Sequence, residues 1–324
     1  MITVGILGAG GMGNVHARHY RRMNDVELYF YDPDQGQAAT FTERHQIGIA
    51  PSAEALIARC DVIDLCLPTP LHIPLGLQAI AAGKPVFVEK PIANSLEDAV
   101  KLVSAADKAG VTLMPGQVVR FFPEFAAGRR LVQNGAVGTP AAARIRRGGG
   151  APKGSNGWFM DHSRSGGVLI DLGIHDFDWL RWTLGDVKHL YSRSVGGKVG
   201  SGPDYALTTL TFDSGCVAHA ETTWMDPSGS RATYEVAGSK GLIQYDSRNA
   251  PTLRTHAAGK SVNESPLFGS DDPYYNELRG FLDAATTNTS PPVTGHDGLM
   301  ALSIALAAKE SAVTDRVVAP ARQF

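Results

Sequence analysis

The sequence is poor in cysteine, with Cys60, Cys66 and Cys216 the only three in 324 residues. An odd number without a C-x-x-C pair argues against both a disulfide framework and a zinc site, and it fits a reducing, cytoplasmic setting. An excess of charge of one sign is lacking as well. The 30 basic and 32 acidic residues leave a formal net charge of -2, which offers little attraction for nucleic acid or an anionic membrane and points to a small-molecule partner. Long apolar runs are missing too: the longest uncharged stretch, residues 65–83, is interrupted by Pro68, Pro70 and Pro74 before a spanning helix could form. The amino terminus reads as a strand, without the basic and apolar regions of a secretion signal, and there is no internal repeat or low-complexity tract.

What is present is length and glycine. At 324 residues the chain is about twice the commonest domain size, so two cores are expected. Short apolar runs at residues 3–7, 26–31, 62–67, 86–88 and 111–114 alternate with helical patterns. Two of these carry clear apolar stripes, Ile73, Leu77, Ile80 and Ala81, then Leu96, Ala99, Val100 and Val103. The alternation specifies an α/β domain, a doubly wound parallel sheet over residues 1–120. Residues 121–324 read instead as an α+β domain with a large, mostly antiparallel open sheet. Its strand-like runs lie at 141–147, 205–212, 217–224 and 233–236, with one helix over 168–184 and two more at 274–285 and 298–314. The 36 glycines are about 11% of the chain against about 7% on average, and 12 of them fall in residues 8–13 and 148–173.

The first cluster, Gly8-Ala9-Gly10-Gly11-Met12-Gly13, fits G-x-G-x-x-G between a strand and a helix. There glycines allow a tight turn and let a pyrophosphate approach the N–H groups at the helix start. An ordinary strand-to-helix turn also uses glycine, but Asp32 ends the second strand 19 residues beyond Gly13. A spacing of about 20 is where a carboxylate accepts hydrogen bonds from an adenosine ribose. Asp32-Pro33-Asp34 is at the same time good turn chemistry. No Lys or Arg follows Asp32 closely to receive a 2′-phosphate, so NAD is preferred to NADP; Arg18 and Arg44 are the basic residues an NADP site could draw on.

Glu89-Lys90-Pro91 follows the strand at 86–88, at the carboxyl edge of the sheet where ligands bind in this architecture. Pro91 restricts Lys90 to an extended backbone, which aims its side chain; most lysines in such turns are simply surface groups. Downstream, Asp171 and His175 stand four residues apart on one helix face behind Ser165-Gly166-Gly167, with Asp178 and Trp182 continuing the stripe. A carboxylate beside an imidazole orients it for proton transfer, and an early helix position disfavours the imidazolium. A surface ion pair would give the same pattern, and a metal site is a weaker third reading because no second His completes a ligand set.

Taken together, Gly8-x-Gly10-x-x-Gly13, Leu67-Pro68-Thr69 with His72, residues 82–86 running into Glu89-Lys90-Pro91, and Asp171-x-x-x-His175 resemble the glucose-fructose oxidoreductase/inositol dehydrogenase/MocA family nearly end to end. Val119-Arg120-Phe121, Glu277 and Asp297-Gly298 add to the likeness. The resemblance implies an amino-terminal Rossmann domain and a pyridine-nucleotide oxidoreductase. Such an enzyme oxidises a secondary alcohol of a sugar or cyclic polyol, or reduces the corresponding ketone. It implies that Lys90, Asp171 and His175 form the catalytic group, with His175 the acid/base, Asp171 its orienting partner and Lys90 stabilising the alkoxide. Gly8, Gly10, Gly11, Met12, Gly13, Asp32, Leu67, Pro68, Thr69, His72, Glu89, Lys90 and Gln117 then make up the cofactor site, with Pro68, Thr69 and Glu89 near the nicotinamide ribose.

Residues 148–165 combine flexible glycines with Lys153, Asn156, Trp158, Asp161, His162 and Arg164, a composition suited to a hydroxyl-rich ligand. Arg120, Trp158, Asp161, His162 and Tyr275 are therefore expected to contact substrate beside Lys90, Asp171 and His175. Val217, His219, Glu221 and Thr223 alternate with Cys216, Ala218, Ala220, Thr222 and Trp224, one polar face and one small or apolar face. The sheet face not covered by helices is expected to pack on another copy in a homodimer or homotetramer, as the resemblance implies. Two other functions fit the same residues: a non-catalytic nucleotide-binding sensor, and a sugar–sugar oxidoreductase that keeps its cofactor tightly bound.

Overall fold

The computed structural model describes residues 1–152, 155–196, 203–249, 252–257, 260–264 and 272–324. Two compact units emerge, one of Met1–Gln117 with Gly154–Asn156 and Asp271–Leu299, the other of Val118–Lys153, Gly157–Ser270 and Met300–Phe324. Among the described residues no helix is long and apolar enough to cross a membrane.

The first unit alternates β1 (Ile2–Leu7), α1 (Gly11–Tyr20), β2 (Val26–Tyr31), α2 (Gln35–His45), β3 (Gly48–Ile49), α3 (Ala53–Arg59), β4 (Val62–Leu65), α4 (His72–Ala81), β5 (Val86–Glu89), α5 (Leu96–Ala109) and β6 (Leu113–Gly116). All six strands are parallel, in the order β3-β2-β1-β4-β5-β6. Every residue of β4 and β5 is buried, as a sheet covered on both faces requires. Serines and an aspartate set the helix starts, Ser52 capping α3, Ser95 capping α5 and Asp34 capping α2.

The structure corrects several sequence boundaries. The strand expected at 62–67 ends at Leu65, because Pro68 turns the chain. The last strand begins at Leu113 rather than 111, since the Val111 N–H is spent on Ala106 O at the end of α5. The buried face of α4 is His72, Gly76, Ala79 and Ile80, not one that includes Ala81. Gly76 turns that face inward, for a Cβ there would lie 2.8 Å from a Leu102 methyl on α5. The short edge strand β3 has too few residues to leave a pattern.

In the second unit α6 (Pro123–Gln133), β7 (Pro140–Gly150), α7 (His162–Ser165), α8 (Val168–Asp171), α9 (Gly173–Leu184), β8 (Val187–Gly196), β9 (Pro203–Phe212), β10 (Val217–Thr223), β11 (Met225–Gly238), β12 (Gly241–Asp246), β13 (Leu253–Ala257) and β14 (Lys260–Glu264) precede the closing helices. Those are α10 (Pro273–Thr287), which belongs to the first unit, and α11 (Gly295–Thr314). A division at residue 120 would miss that return: α10 lies against α1, with Tyr274 stacked on His19 at 6.1 Å and Arg279 paired with Asp25 at 2.8 Å.

The sheet of the second unit runs β14-β13-β12-β11-β7-β10-β9-β8 and is antiparallel except for the β7–β10 pair. Strand β8 escaped the sequence reading because a register shift between Val187 and His189 breaks its alternation. The single helix expected over 168–184 is two, α8 and α9, separated at Leu172 where Gly173 comes up against Thr222 of β10.

The unit's core is aromatic. Trp179 is fully buried, packs edge-on against Phe125 at 5.5 Å and tilts over Tyr234 at 4.5 Å, while its indole N–H donates to Phe125 O at 2.9 Å. Tyr234 donates to Glu124 O at 2.7 Å. Trp179→Ala should therefore lower stability by about 3–5 kcal/mol in urea unfolding followed by circular dichroism.

Candidate active site

In the first unit the nucleotide loop is shaped by two close approaches. Gly8 has φ 103°, and a Cβ there would stand 2.3 Å from Cys66 O; a Cβ on Gly13 would stand 2.0 Å from Gly8 O. Only glycine fits either position. A Cβ on Gly10 or Gly11 would meet no protein atom within 4 Å, which leaves that side of the turn open to approach by a ligand. Helix α1 starts from Gly10 with no side-chain cap, so its first N–H groups and positive dipole end are available to an anion.

Asp32 binds the loop to the sheet edge: one carboxylate oxygen accepts from Ala9 N at 2.8 Å and the other from Asp34 N at 2.8 Å. Both the turn role and a carboxylate held beside the loop are thus realised. Sequence reasoning missed Asn14. Its amide donates to Ala9 O and Gly10 O at 3.0 and 2.9 Å, while its oxygen accepts from Arg44 and His45 at 2.9 Å each. Arg44, a residue considered for a 2′-phosphate, is drawn into that bracket. An Asn after a glycine loop carries no distinguishing sequence signal.

Further along the same edge, the Lys90–Pro91 bond is cis and the Lys90 amide donates to Glu89 Oε2 at 3.0 Å. His72, expected to touch cofactor, is 1% exposed and lies between two backbone carbonyls, Pro91 O at 3.0 Å from Nδ1 and Leu67 O at 2.9 Å from Nε2. It braces the turn after β4 against the turn after β5. Thr69 is buried in that first turn. Gln117, just past β6, is 1% exposed, and its amide oxygen has no hydrogen-bond partner among the described residues. Tyr275 lies on α10 beneath the Arg22 guanidinium, 4.8 Å from its ring centre.

The second unit holds the other predicted residues. Gly166 and Gly167 both have positive φ, 81° and 76°, and bring the chain into α8. Asp171, 7% exposed, ends α8, and His175 follows in the first turn of α9, so the break at Leu172 lies between them. The neighbouring acids are committed to arginines. Asp178 takes a bidentate, buried pair with Arg120 at 2.7 and 2.6 Å, and Asp176 pairs with Arg147 at 2.9 and 2.8 Å. Burial pushes the Asp176 carboxyl above its usual range despite Arg147. Arg120, expected to meet substrate, is only 5% exposed and lies over Trp182, so its guanidinium is spent in the core.

In the expected specificity segment, Asp161 is exposed and caps α7, accepting from Ser163 N at 3.0 Å and from the Ser163 hydroxyl at 2.6 Å. His162 stands edge-on to Trp224 at 5.7 Å, and both of its ring nitrogens lack a hydrogen-bond partner among the described residues. Burial lowers its pKa, which favours the neutral ring. Trp158 packs on Phe159 at 4.2 Å. Lys153 lies outside the described residues.

These features fit a dinucleotide: an uncapped helix start, a glycine turn with one open side, a carboxylate anchored next to it and an unsatisfied buried amide. Gly13→Ala would force a Cβ onto the Gly8 carbonyl, 2.0 Å away, and should weaken NADH binding by at least about tenfold in a fluorescence titration, about 1.4 kcal/mol.

Comparison with known proteins identifies both domains. Residues 2–117 match an oxidoreductase family with an NAD-binding Rossmann fold, and residues 125–244 match the GFO/IDH/MocA C-terminal domain. The uncharacterized oxidoreductase YrbE of Bacillus subtilis is 31% identical over 326 residues, covering 96% of this chain and 94% of the relative. Myo-inositol 2-dehydrogenase of Thermotoga maritima is 29% identical, covering 98% of each. Among solved structures, GenD2 from gentamicin A biosynthesis in complex with NAD superposes with a TM-score of 0.88 at 25% identity, covering 99% of this chain and 96% of that one. With both domains matched in order and a relative aligned over nearly its whole length, the chain belongs to the Gfo/Idh/MocA family of NAD-binding oxidoreductases.

Proposed function

We propose that the protein transfers hydride between a secondary alcohol, or the corresponding ketone, of a sugar or cyclic polyol and NAD, with Lys90, Asp171 and His175 as its catalytic group. The observation that carries this reading is the position of Lys90. It stands directly past β5, on the same edge of the parallel sheet as the glycine loop that follows β1. That is the edge where ligands bind in doubly wound sheets. The Thermotoga relative named for myo-inositol supports the substrate class.

The bound nicotinamide supplies a hydride acceptor for the carbinol carbon. His175 takes the hydroxyl proton on its ring nitrogen, Asp171 holds the imidazole in the receiving orientation, and the Lys90 ammonium donates a hydrogen bond to the oxygen as negative charge grows on it. In the reducing direction the proton returns from His175. The first-turn place of His175 suits a ring that must accept a proton, because the helix dipole there opposes its cation. The Asp32 carboxylate, next to the loop and with no ion-pair partner among the described residues, supports preference for NAD over NADP.

Turnover with some member of a panel of inositols, aldoses and sugar acids should be visible as NADH formation. Lys90→Ala and His175→Ala should each lower kcat by about 100-fold or more while NADH binding is kept. Normal turnover by the doubly substituted protein would refute the assigned roles, and tight NADH binding with no turnover across the panel would favour a sensor.

We also propose that the protein assembles through the outer face of the second unit's sheet. Ala218, Ala220 and Thr222 point into the core, whereas His219 and Glu221 lie on the opposite face with Arg144, Arg146, Glu235 and Arg254. Charges of both signs on one exposed sheet face suit a self-complementary contact. Light scattering at micromolar concentration should give a dimer or tetramer; a monomer mass would rule this out.

A further inference from the structure

Behind the nucleotide loop, within the first unit, lies a buried set of ionisable side chains that the proposed chemistry does not use. His16, on α1 and 0% exposed, has Nδ1 2.8 Å from Asp64 Oδ2 and 3.1 Å from Cys66 Sγ. Its Nε2 is 3.2 Å from Glu89 Oε1, at ion-pair distance though off the line of a good hydrogen bond. The other Glu89 oxygen accepts the Lys90 amide. The ring stands edge-on to Phe87 at 5.3 Å, and Tyr274 of α10 tilts against it at 6.4 Å.

Asp64 and Glu89 are 0% and 7% exposed, and a cationic ring between them offsets the cost of burying two carboxylates side by side. Burial opposes charge on the His16 ring, but Asp64 and Cys66 outweigh it and raise its pKa well above that of an ordinary imidazole. Around it, burial pushes the Cys66 thiol up and the Tyr274 hydroxyl up to about 12, and it raises Tyr20, which also feels Asp64 and Glu277. The 2.8 and 3.1 Å separations are hydrogen-bond distances, shorter than the edge of about 3.3 Å that a zinc tetrahedron with bonds of about 2.0–2.3 Å would set.

We propose that His16 is a positioning residue: it bridges Asp64 and Glu89, and through the Glu89 carboxylate it fixes the turn that presents Lys90 at the carboxyl edge of the sheet. The proposal rests on the reading of Glu89 and Lys90 as part of the nucleotide and catalytic site. The line of contact runs from Asp64 on β4 through His16 to Glu89 and the Lys90 amide, so α1 holds the end of β5.

The test compares NADH dissociation constants, read from bound-nicotinamide fluorescence, for the native protein, His16→Phe, Glu89→Gln and the double variant. If His16 acts through Glu89, each single change weakens binding by about tenfold, and the double variant is no weaker than the weaker single variant. Unchanged binding, or effects that multiply, would overturn the proposal. Because His16→Phe leaves Asp64 without its counter-charge and can fail to fold, a second measurement uses Glu89→Gln alone. In histidine-labelled protein, imidazole nitrogen shifts should show His16 holding its proton above the ordinary imidazole range in the native protein and releasing it at a lower pH in Glu89→Gln. Identical titrations would refute the coupling. The raised folded pKa also fixes a sign: the stabilisation from His16 is complete below about pH 6.5 and lost as pH climbs through the folded value. Failure of the native protein to bind NADH would refute the nucleotide reading and this proposal with it; native binding that the variants leave unaltered would overturn this proposal alone.

Discussion

Parallel pairing of the strands in the first unit is the constraint on which its site depends. Because β1, β2, β4 and β5 run the same way, their carboxyl ends come to one edge, and with them the glycine loop, Asp32, the Leu67-Pro68-Thr69 turn and Glu89-Lys90. Segments separated by tens of residues become neighbours through backbone hydrogen bonds alone. The closeness of β1 and β4 then dictates residue type, since the Cys66 carbonyl occupies the space where any side chain on Gly8 would begin.

Braces refine that edge. Asp32 ties the loop to the end of β2, Asn14 ties it to α2, and His72 joins the turns after β4 and β5. Each uses a side chain to satisfy backbone groups that the end of a strand leaves unpaired, so the same bonds that meet the polar accounting also hold the loops in place. A ligand meeting such an edge does not have to order it first, which lowers the cost of binding.

In the second unit the controlling rule is that buried charge must be paired. Helix α9 carries Asp176 and Asp178 into the core, and Arg147 and Arg120 follow them there. Those pairs join α9 to β7 and to the segment before α6, while the stack of Phe125, Trp179 and Tyr234 supplies apolar contact from α9 to α6 and β11. Asp171 and His175 therefore sit on a helix pair whose orientation is held by interactions elsewhere along it. The division of labour among the three aspartates is invisible in sequence, because i, i+4 spacing marks a shared face without saying what the face meets.

The parallel sheet and the loop were legible in the sequence since they rest on local signals: apolar runs, helical stripes, and glycines at positions where a Cβ has no room. The helix break at Leu172, the bulged strand β8 and the return of α10 to α1 were not, because each is decided by a contact with residues far along the chain. The same boundary runs through the site. Gly8, Gly13, Asp32 and the Glu89-Lys90-Pro91 turn could be named from type and spacing. Only the tertiary structure assigned Arg120 to Asp178, His72 to two carbonyls and His16 to two carboxylates. The sequence by itself determined the chemistry that was available and the order of the elements. Tertiary structure decided which polar groups that chemistry could use, because a buried charge or donor is assigned by whatever it is packed against, and packing is not local.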